Sequence, residues 1–190
     1  MKRIITSIII IVTLSISCIV NAQEIENIEN MNPALLVIDV QKVYFNRMDQ
    51  SDVDKPIEVI NKSIEFFDDQ NLPIIYIYHR NNTSDKHQYI DEIEVPENAT
   101  KVLKNYGNAF KKTELNDILK KLYCNTLYLC GLSATACVKA TYQGANDLDY
   151  NTFLIKDANM SPSKKKTSMI EDEFKAVDIE SVKEIISIKQ

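Results

Sequence analysis

Four short, uninterrupted apolar runs constrain this chain more than any other feature. They are Ala34-Leu-Leu-Val-Ile-Asp39, Ile74-Ile-Tyr-Ile-Tyr78, Thr126-Leu-Tyr-Leu-Cys-Gly131 and Thr152-Phe-Leu-Ile-Lys156. None alternates apolar with polar residues as a strand with one wet face does, so each suits a strand buried on both faces. Segments of helical period lie between them. Ile57, Ile60, Ile64 and Phe67 recur at three- and four-residue steps within 54–71. Thr113 can cap a helix running to about Leu122, with Leu115, Ile118, Leu119 and Leu122 as its apolar stripe. A helix is expected from near Thr135 to about Leu148, and a charged one from about Ser163 to Lys175. A short strand at Val177 to Ile179 and a last helical turn or two close the chain. Strands alternating with helices predict the α/β class: a three-layer sandwich with a mostly parallel sheet of about five to six strands and helices on both faces. Residues 80–100 are polar, with Asn81-Asn82 and Pro96, and read as a long loop of the kind that is often functional.

The first 22 residues stand apart from the fold. Lys2 and Arg3 precede an apolar run from Ile4 to Leu14, and Val20-Asn21-Ala22 offers a small-residue cleavage site, the layout of a secretory signal peptide. The run is diluted by Thr6, Ser7, Thr13, Ser15 and Ser17 and is short for a membrane span. Cleavage after Ala22 would leave 168 of the 190 residues, a polar lead-in at 23–33 and one domain at 34–190. Periplasmic or secreted localisation is the expectation. Acylation at Cys18, giving a lipoprotein, is the variant, although Ser15-Ile16-Ser17 lacks the usual Leu three positions upstream. Without Lys2 and Arg3, 20 basic residues face 27 acidic ones and no basic patch with interleaved aromatics stands out, which excludes nucleic acid as a natural partner. The Lys164-Lys165-Lys166 run reads as a solvated helix start. The mature chain keeps Cys124, Cys130 and Cys137, an odd number. Cys124 and Cys130 flank one strand at a separation near ~20 Å, beyond disulfide reach, so thiols are expected.

In a parallel sheet the reactive groups gather outside the C-terminal strand ends. Asp39, His79 and the loop that opens at Gly131 all fall there. Cys137 follows a strand-Gly turn at the start of a helix, where unpaired N–H groups and the helix dipole favour a thiolate; a small buried core cysteine is the equal alternative. Asp39 is the only charge in an apolar stretch, costly to bury unless paired, with a turn cap as the bland reading. Lys104, in Val102-Leu-Lys-Asn-Tyr-Gly-Asn-Ala-Phe110, would by itself be a surface lysine.

Together these segments resemble the isochorismatase-like cysteine hydrolases along nearly the whole mature chain. Ala34-Leu-Leu-Val-Ile-Asp-Val-Gln41 is similar to that family's opening strand and Asp-x-Gln signature, with Tyr44 and Phe45 where it carries an aromatic. Lys104, Ala109-Phe110 and Thr113-x-Leu115 resemble its lysine segment, and Gly131-Leu-Ser-Ala-Thr-Ala-Cys-Val138 its nucleophile loop. Ala140-Thr141, Ala145 and Asp157-Ala158 complete the pattern. The resemblance implies a Rossmann-like isochorismatase fold and a catalytic triad of Asp39, Lys104 and Cys137. It implies an oxyanion hole from the N–H groups of Ala134 and Cys137, and a cis peptide at Ser133–Ala134. Gln41, Tyr44, His79, Phe110 and Ser133 become candidates to line a pocket for a small-molecule substrate, with a structural role equally open for His79. Ala134 stands where the family usually has Thr, and Asn108 where Ser is frequent.

The implied activity is hydrolysis of a C–N bond in a small amide, ureide or carbamoyl compound through a thioester. Nicotinamidase-like or isochorismatase-like hydrolysis and an inactive secreted binding module are the alternatives. Nicotinamidases add a metal held by an Asp-x-His pair and further histidines. Asp85-Lys86-His87 has that form, but the chain has two histidines, and His79 at a strand end is expected outside any ligand cluster. No metal or other cofactor is therefore expected. A homo-oligomer is compatible with the family, though no interface is legible.

Overall fold

The computed structural model describes residues 30–80 and 84–188. The expected signal peptide and residues 23–29 of the lead-in lie outside the described residues. Residues 32–183 make one compact unit, and the described residues 30, 31 and 184–188 fall outside it. Within this unit, six strands form one parallel sheet: β1 (Pro33–Ile38), β2 (Ile74–His79), β3 (Thr100–Lys104), β4 (Thr126–Leu132), β5 (Asn151–Met160) and β6 (Ala176–Val177), in the order β3-β2-β1-β4-β5-β6. The order reverses between β1 and β4, the crevice where open α/β sheets bind ligands. Every residue of β1 and β4 is buried, as their unbroken apolar runs require.

The described residues hold five α-helices: α1 (Asp54–Asp69), α2 (Leu115–Lys121), α3 (Lys139–Asn146), α4 (Lys164–Glu173) and α5 (Ile179–Ile188). Phe67 of α1 meets Tyr128 of β4 edge to face at 5.8 Å, covering one side of the sheet. The other side builds a second core. There Leu36, Ile38, Ile77 and Leu129 pack with Leu115 and Leu119 of α2, Tyr142 and Ala145 of α3, and Ile170 of α4. These helices therefore sit on both faces, as the periodicity indicates. Among the described residues no helix is long and apolar enough to cross a membrane.

Three elements differ from expectation. β3 falls in a segment that reads as loop and lysine motif, because its pattern is inverted: Lys104 is fully buried while Leu103 is 48% exposed. The helix expected from Thr135 starts instead as a π turn over Ala134–Val138 and becomes α-helical only at Lys139. β5 runs on to Met160 because a two-residue step from Leu129 to Gly131 answers a five-residue step from Leu154 to Asn159. The extra residues include Asp157 at φ 61.

Candidate active site

Each strand that feeds the switch point ends in a functional group. Asp39 leaves β1 at φ 52, a left-handed conformation that Asp adopts more readily than most residues. Gly131 on β4 sits directly opposite Ile38 at φ +119. A Cβ there would lie 2.2 Å from the Ile38 carbonyl oxygen, so glycine alone allows β1 and β4 to approach beside Asp39. Lys104 ends β3 two strands away, and its side chain reaches back beneath the surface.

There Lys104 Nζ donates to Asp39 Oδ2 at 2.6 Å, both side chains being almost completely shielded from water. Lys104 also donates to the Tyr106 carbonyl at 3.3 Å. Asp39 Oδ1 is buried without a hydrogen-bond partner. Burial raises the Asp39 pKa, and the charge of Lys104 opposes that rise. Cys137 lies in the π turn after β4, half-buried. Its Sγ, a carboxylate oxygen of Asp39 and an imidazole nitrogen of His79 all lie within 4.8 Å of one another. The expected triad and His79 are thus brought together.

The electrostatics of the thiol differ from expectation. Burial pushes the Cys137 pKa up to about 11; the Asp39 charge adds to the rise, and Lys104 counters part of it. Cys124 is pushed up to about 11 as well, by burial, and Cys130 higher still. The helix start does not make Cys137 a resting thiolate. With a pKa of about 11 the sulfur is a thiol at neutral pH, so a base must take the proton as it reacts.

His79 closes the other side. Its Nδ1 bonds to the Tyr44 hydroxyl at 2.8 Å, the two rings stacking at 6.2 Å. Burial, with the charges of Lys104 and Arg80, lowers its pKa to about 4, so the imidazole is neutral at pH 7. Contrary to the expectation for a strand-end histidine, it stands in a cluster of ligand-type groups. Asp85 and His87 do not join it: Asp85 pairs with Lys42 at 3.3 Å, and His87 Nδ1 bonds to Ser84 Oγ at 2.7 Å. The Asp-x-His set of the nicotinamidases is not assembled by these two residues.

The remaining expected pocket residues divide. Tyr44 faces the site, since the charges of Asp39 and Cys137 both raise its pKa after burial has done so. Gln41 is corrected from substrate contact to clamp, because it is fully buried with both ends of its amide engaged. Its Nε2 donates to the His87 carbonyl at 2.6 Å, and its Oε1 accepts from the His79 backbone N–H at 2.9 Å. Phe110 stacks on Tyr150 at 5.7 Å and packs against the core. Ser133 lies at the turn: its carbonyl accepts from the N–H groups of Ala136 and Val138, and its Oγ meets Thr135 Oγ1 at 3.3 Å. The cis peptide is Leu132–Ser133, one bond earlier than expected. Ala134 and Cys137, the expected oxyanion donors, share the π turn.

Sequence reasoning missed Tyr89. Its hydroxyl, deep in the structure, bonds to the carbonyls of Val37 at 2.6 Å and Ile77 at 2.9 Å, pinning the 84–93 segment over the ends of β1 and β2. The apolar pair Tyr89-Ile90 within a polar stretch was the available signal. Asn108 has a local reason: its carboxamide fills the space beside Gly144, where a Cβ would lie 2.2 Å from Asn108 Nδ2. A separate cavity of about 460 Å³ opens between the start of α1, β5 and α4, lined by Lys55, Asp157 and Glu171 among others, but by none of the triad.

The family model described as Isochorismatase domain matches residues 33–183, the span that holds the sheet and every residue of the cluster. The chain belongs to the isochorismatase family. An uncharacterised isochorismatase family protein, YrdC of Bacillus subtilis (strain 168), is 31% identical over 138 residues, covering 66% of this chain and 72% of the relative. Solved structures share the fold. An isochorismatase family protein from Desulfovibrio vulgaris superposes with a TM-score of 0.75 at 14% identity, over 83% of this chain and 99% of that one. N-carbamoylsarcosine amidase from Thermoplasma acidophilum superposes with a TM-score of 0.70 at 23% identity, over 78% and 96%. This isochorismatase-family chain is accordingly a hydrolase.

Proposed function

We propose that this hydrolase cleaves the C–N bond of a small amide, ureide or carbamoyl compound, with Cys137 as nucleophile and a thioester as intermediate. The observation that carries the reading is the convergence of Cys137 Sγ with a carboxylate that is itself ion-paired to a buried lysine. Cys137 forms the S–C bond to the carbonyl carbon while its proton passes to Asp39. Lys104 holds the carboxylate in place and offsets the negative charge that appears near it. Oxygen charge in the tetrahedral adduct falls to the N–H groups of Ala134 and Cys137. Asp39 then returns the proton to nitrogen as the C–N bond breaks and the amine or ammonia leaves. Water attacks the thioester, giving one proton to Asp39, which passes it to the departing sulfur. The net reaction is amide plus water to acid plus amine.

The neutral His79, bonded to Tyr44 and close to Cys137, offers polar groups suited to hydrogen-bonding a carbamoyl or amide group. That an N-carbamoylsarcosine amidase shares the fold supports this substrate class. An inactive binding module would have left the triad dispersed or incomplete; here the side chains converge. Ammonia release from a panel of small amides, ureides and nicotinamide tests the reading. Turnover of at least one carbamoyl or amide compound is expected, and activity confined to a vinyl ether substrate would replace it. We also infer export, from the basic start, apolar run and Val20-Asn21-Ala22. Mass spectrometry of protein from its native host should find Gln23 first; a lipid on Cys18 would contradict this.

A further inference from the structure

We propose that Asp39, His79 and Cys137 form a binding site for one divalent cation of the zinc class, and that the ion inhibits the enzyme by taking the thiol from the substrate. One thiolate, one imidazole and one carboxylate suit a borderline-soft ion better than magnesium or calcium. The three ligand atoms lie within 4.8 Å of one another. Bonds to zinc of about 2.0–2.3 Å place tetrahedral ligands roughly 3.3–3.8 Å apart, so closure by about 1 Å completes the site. Solvent takes the fourth position.

Each ligand is prepared independently. Asp39 Oδ1 is buried with no hydrogen bond, while Oδ2 is occupied by Lys104, so one carboxylate oxygen keeps its lone pairs. His79 is held at both its backbone and its ring: Gln41 Oε1 accepts from its N–H, and Tyr44 engages Nδ1. Nε2 is left to coordinate, and a hydrogen-bonded far nitrogen is the usual support of a metal-bound histidine. Cys137 binds as thiolate. One S–H bond breaks, one S–metal bond forms, and one proton leaves to solvent for each ion bound, without any change of oxidation state. Lys104 opposes the cation, but the two anionic ligands outweigh it. These residues differ from the Asp-x-His pair, whose members are engaged by Lys42 and Ser84.

Cobalt(II) titration of the full chain, after EDTA treatment and gel filtration, tests the proposal. A one-to-one near-ultraviolet thiolate–cobalt band should appear, and zinc should abolish it by displacement. Cys137→Ser should remove the band, and His79→Ala should weaken binding more than about 100-fold. Tyr44→Phe, which removes only the supporting hydrogen bond, should weaken it about 10–100-fold. The Asp85→Asn/His87→Gln double variant should bind like the parent. Zinc should also protect Cys137 of the unaltered protein from iodoacetamide, a readout that needs no variant. Absence of one-to-one binding, a band that survives Cys137→Ser, or a band lost in the Asp85/His87 variant would overturn the site. The inhibition rests on the catalytic reading, but the cobalt band does not. Cys137-dependent turnover without a band refutes the metal site alone, whereas a band in a protein that hydrolyses no amide refutes the catalytic reading alone.

Discussion

Replacing Lys104 with Met should cost the fold far more than an ordinary lysine substitution, and by a pH-dependent amount. The Nζ to Oδ2 separation is 2.6 Å, with the side chains 0% and 1% exposed. At an effective dielectric constant of ~20, that separation is worth about 6 kcal/mol of attraction before desolvation is counted. The substitution leaves Asp39 charged, buried and without its cation, with Oδ1 already unpartnered. Removing one member of a buried pair costs about 3–5 kcal/mol. For a chain of this size the melting temperature should drop by roughly 6–20 °C at pH 8. Burial already raises the Asp39 pKa and Lys104 is the main opposing influence, so the variant's carboxyl rises further. A folded pKa above the unfolded value gives stability that is fully present below the unfolded value and lost as pH rises through the folded one. The variant's deficit should therefore shrink between pH 8 and pH 5. Thermal melts by circular dichroism at both pH values would show it, with Asp39→Asn/Lys104→Met recovering most of the loss. A single variant that melts within about 2 °C of the parent at pH 8, or a deficit independent of pH, would refute the reasoning.

Asp39→Asn should separate the two roles of that carboxylate. Amide turnover should fall by about 10² or more with loss of the proton acceptor. Iodoacetamide labelling of Cys137 at pH 8 should nevertheless quicken, because the Asp39 charge raises the thiol pKa and Lys104 then acts on it unopposed. Slower labelling would contradict the electrostatics. His79 should stay neutral on acidification until about pH 4, which nitrogen-15 NMR of the ring can follow. Because its folded pKa is depressed, its contribution to stability is present above about 6.5 and lost as pH falls toward about 4. A midpoint near 6.5 would mean the ring is solvated. Gly131→Ala should destabilise the fold and reduce activity together, as the added Cβ meets the Ile38 carbonyl at 2.2 Å. An unaffected melting temperature would refute the close approach of β1 and β4.

The central strands were legible because β1 and β4 are buried on both faces, which only a continuous apolar run can satisfy. Asp39 was legible for the related reason that a charge ending such a run needs a partner. The partner was harder to read. Lys104 sits on the inward face of an edge strand whose exposed position is Leu103, so local polarity pointed to a surface lysine and hid β3. Only resemblance placed Lys104 beside Asp39, across 65 residues. The state of Cys137 stayed open between thiolate and buried thiol, because a helix start is visible in sequence whereas the burial that raises the pKa depends on the whole fold. Gln41 shows the same limit. A glutamine near a site suggests substrate contact, and nothing local reveals that His79 and His87 occupy both ends of its amide.

The central claim is that Cys137 becomes acylated during turnover. A hydrolysed amide or ureide should be mixed with the enzyme, quenched in acid within the first turnovers and digested for mass spectrometry. The peptide bearing Cys137 should carry the acyl or carbamoyl group, which hydroxylamine removes. Cys137→Ala should show neither adduct nor turnover while melting within a few degrees of the parent, as expected for loss of one half-buried sulfur. Turnover that persists in Cys137→Ala would contradict the account.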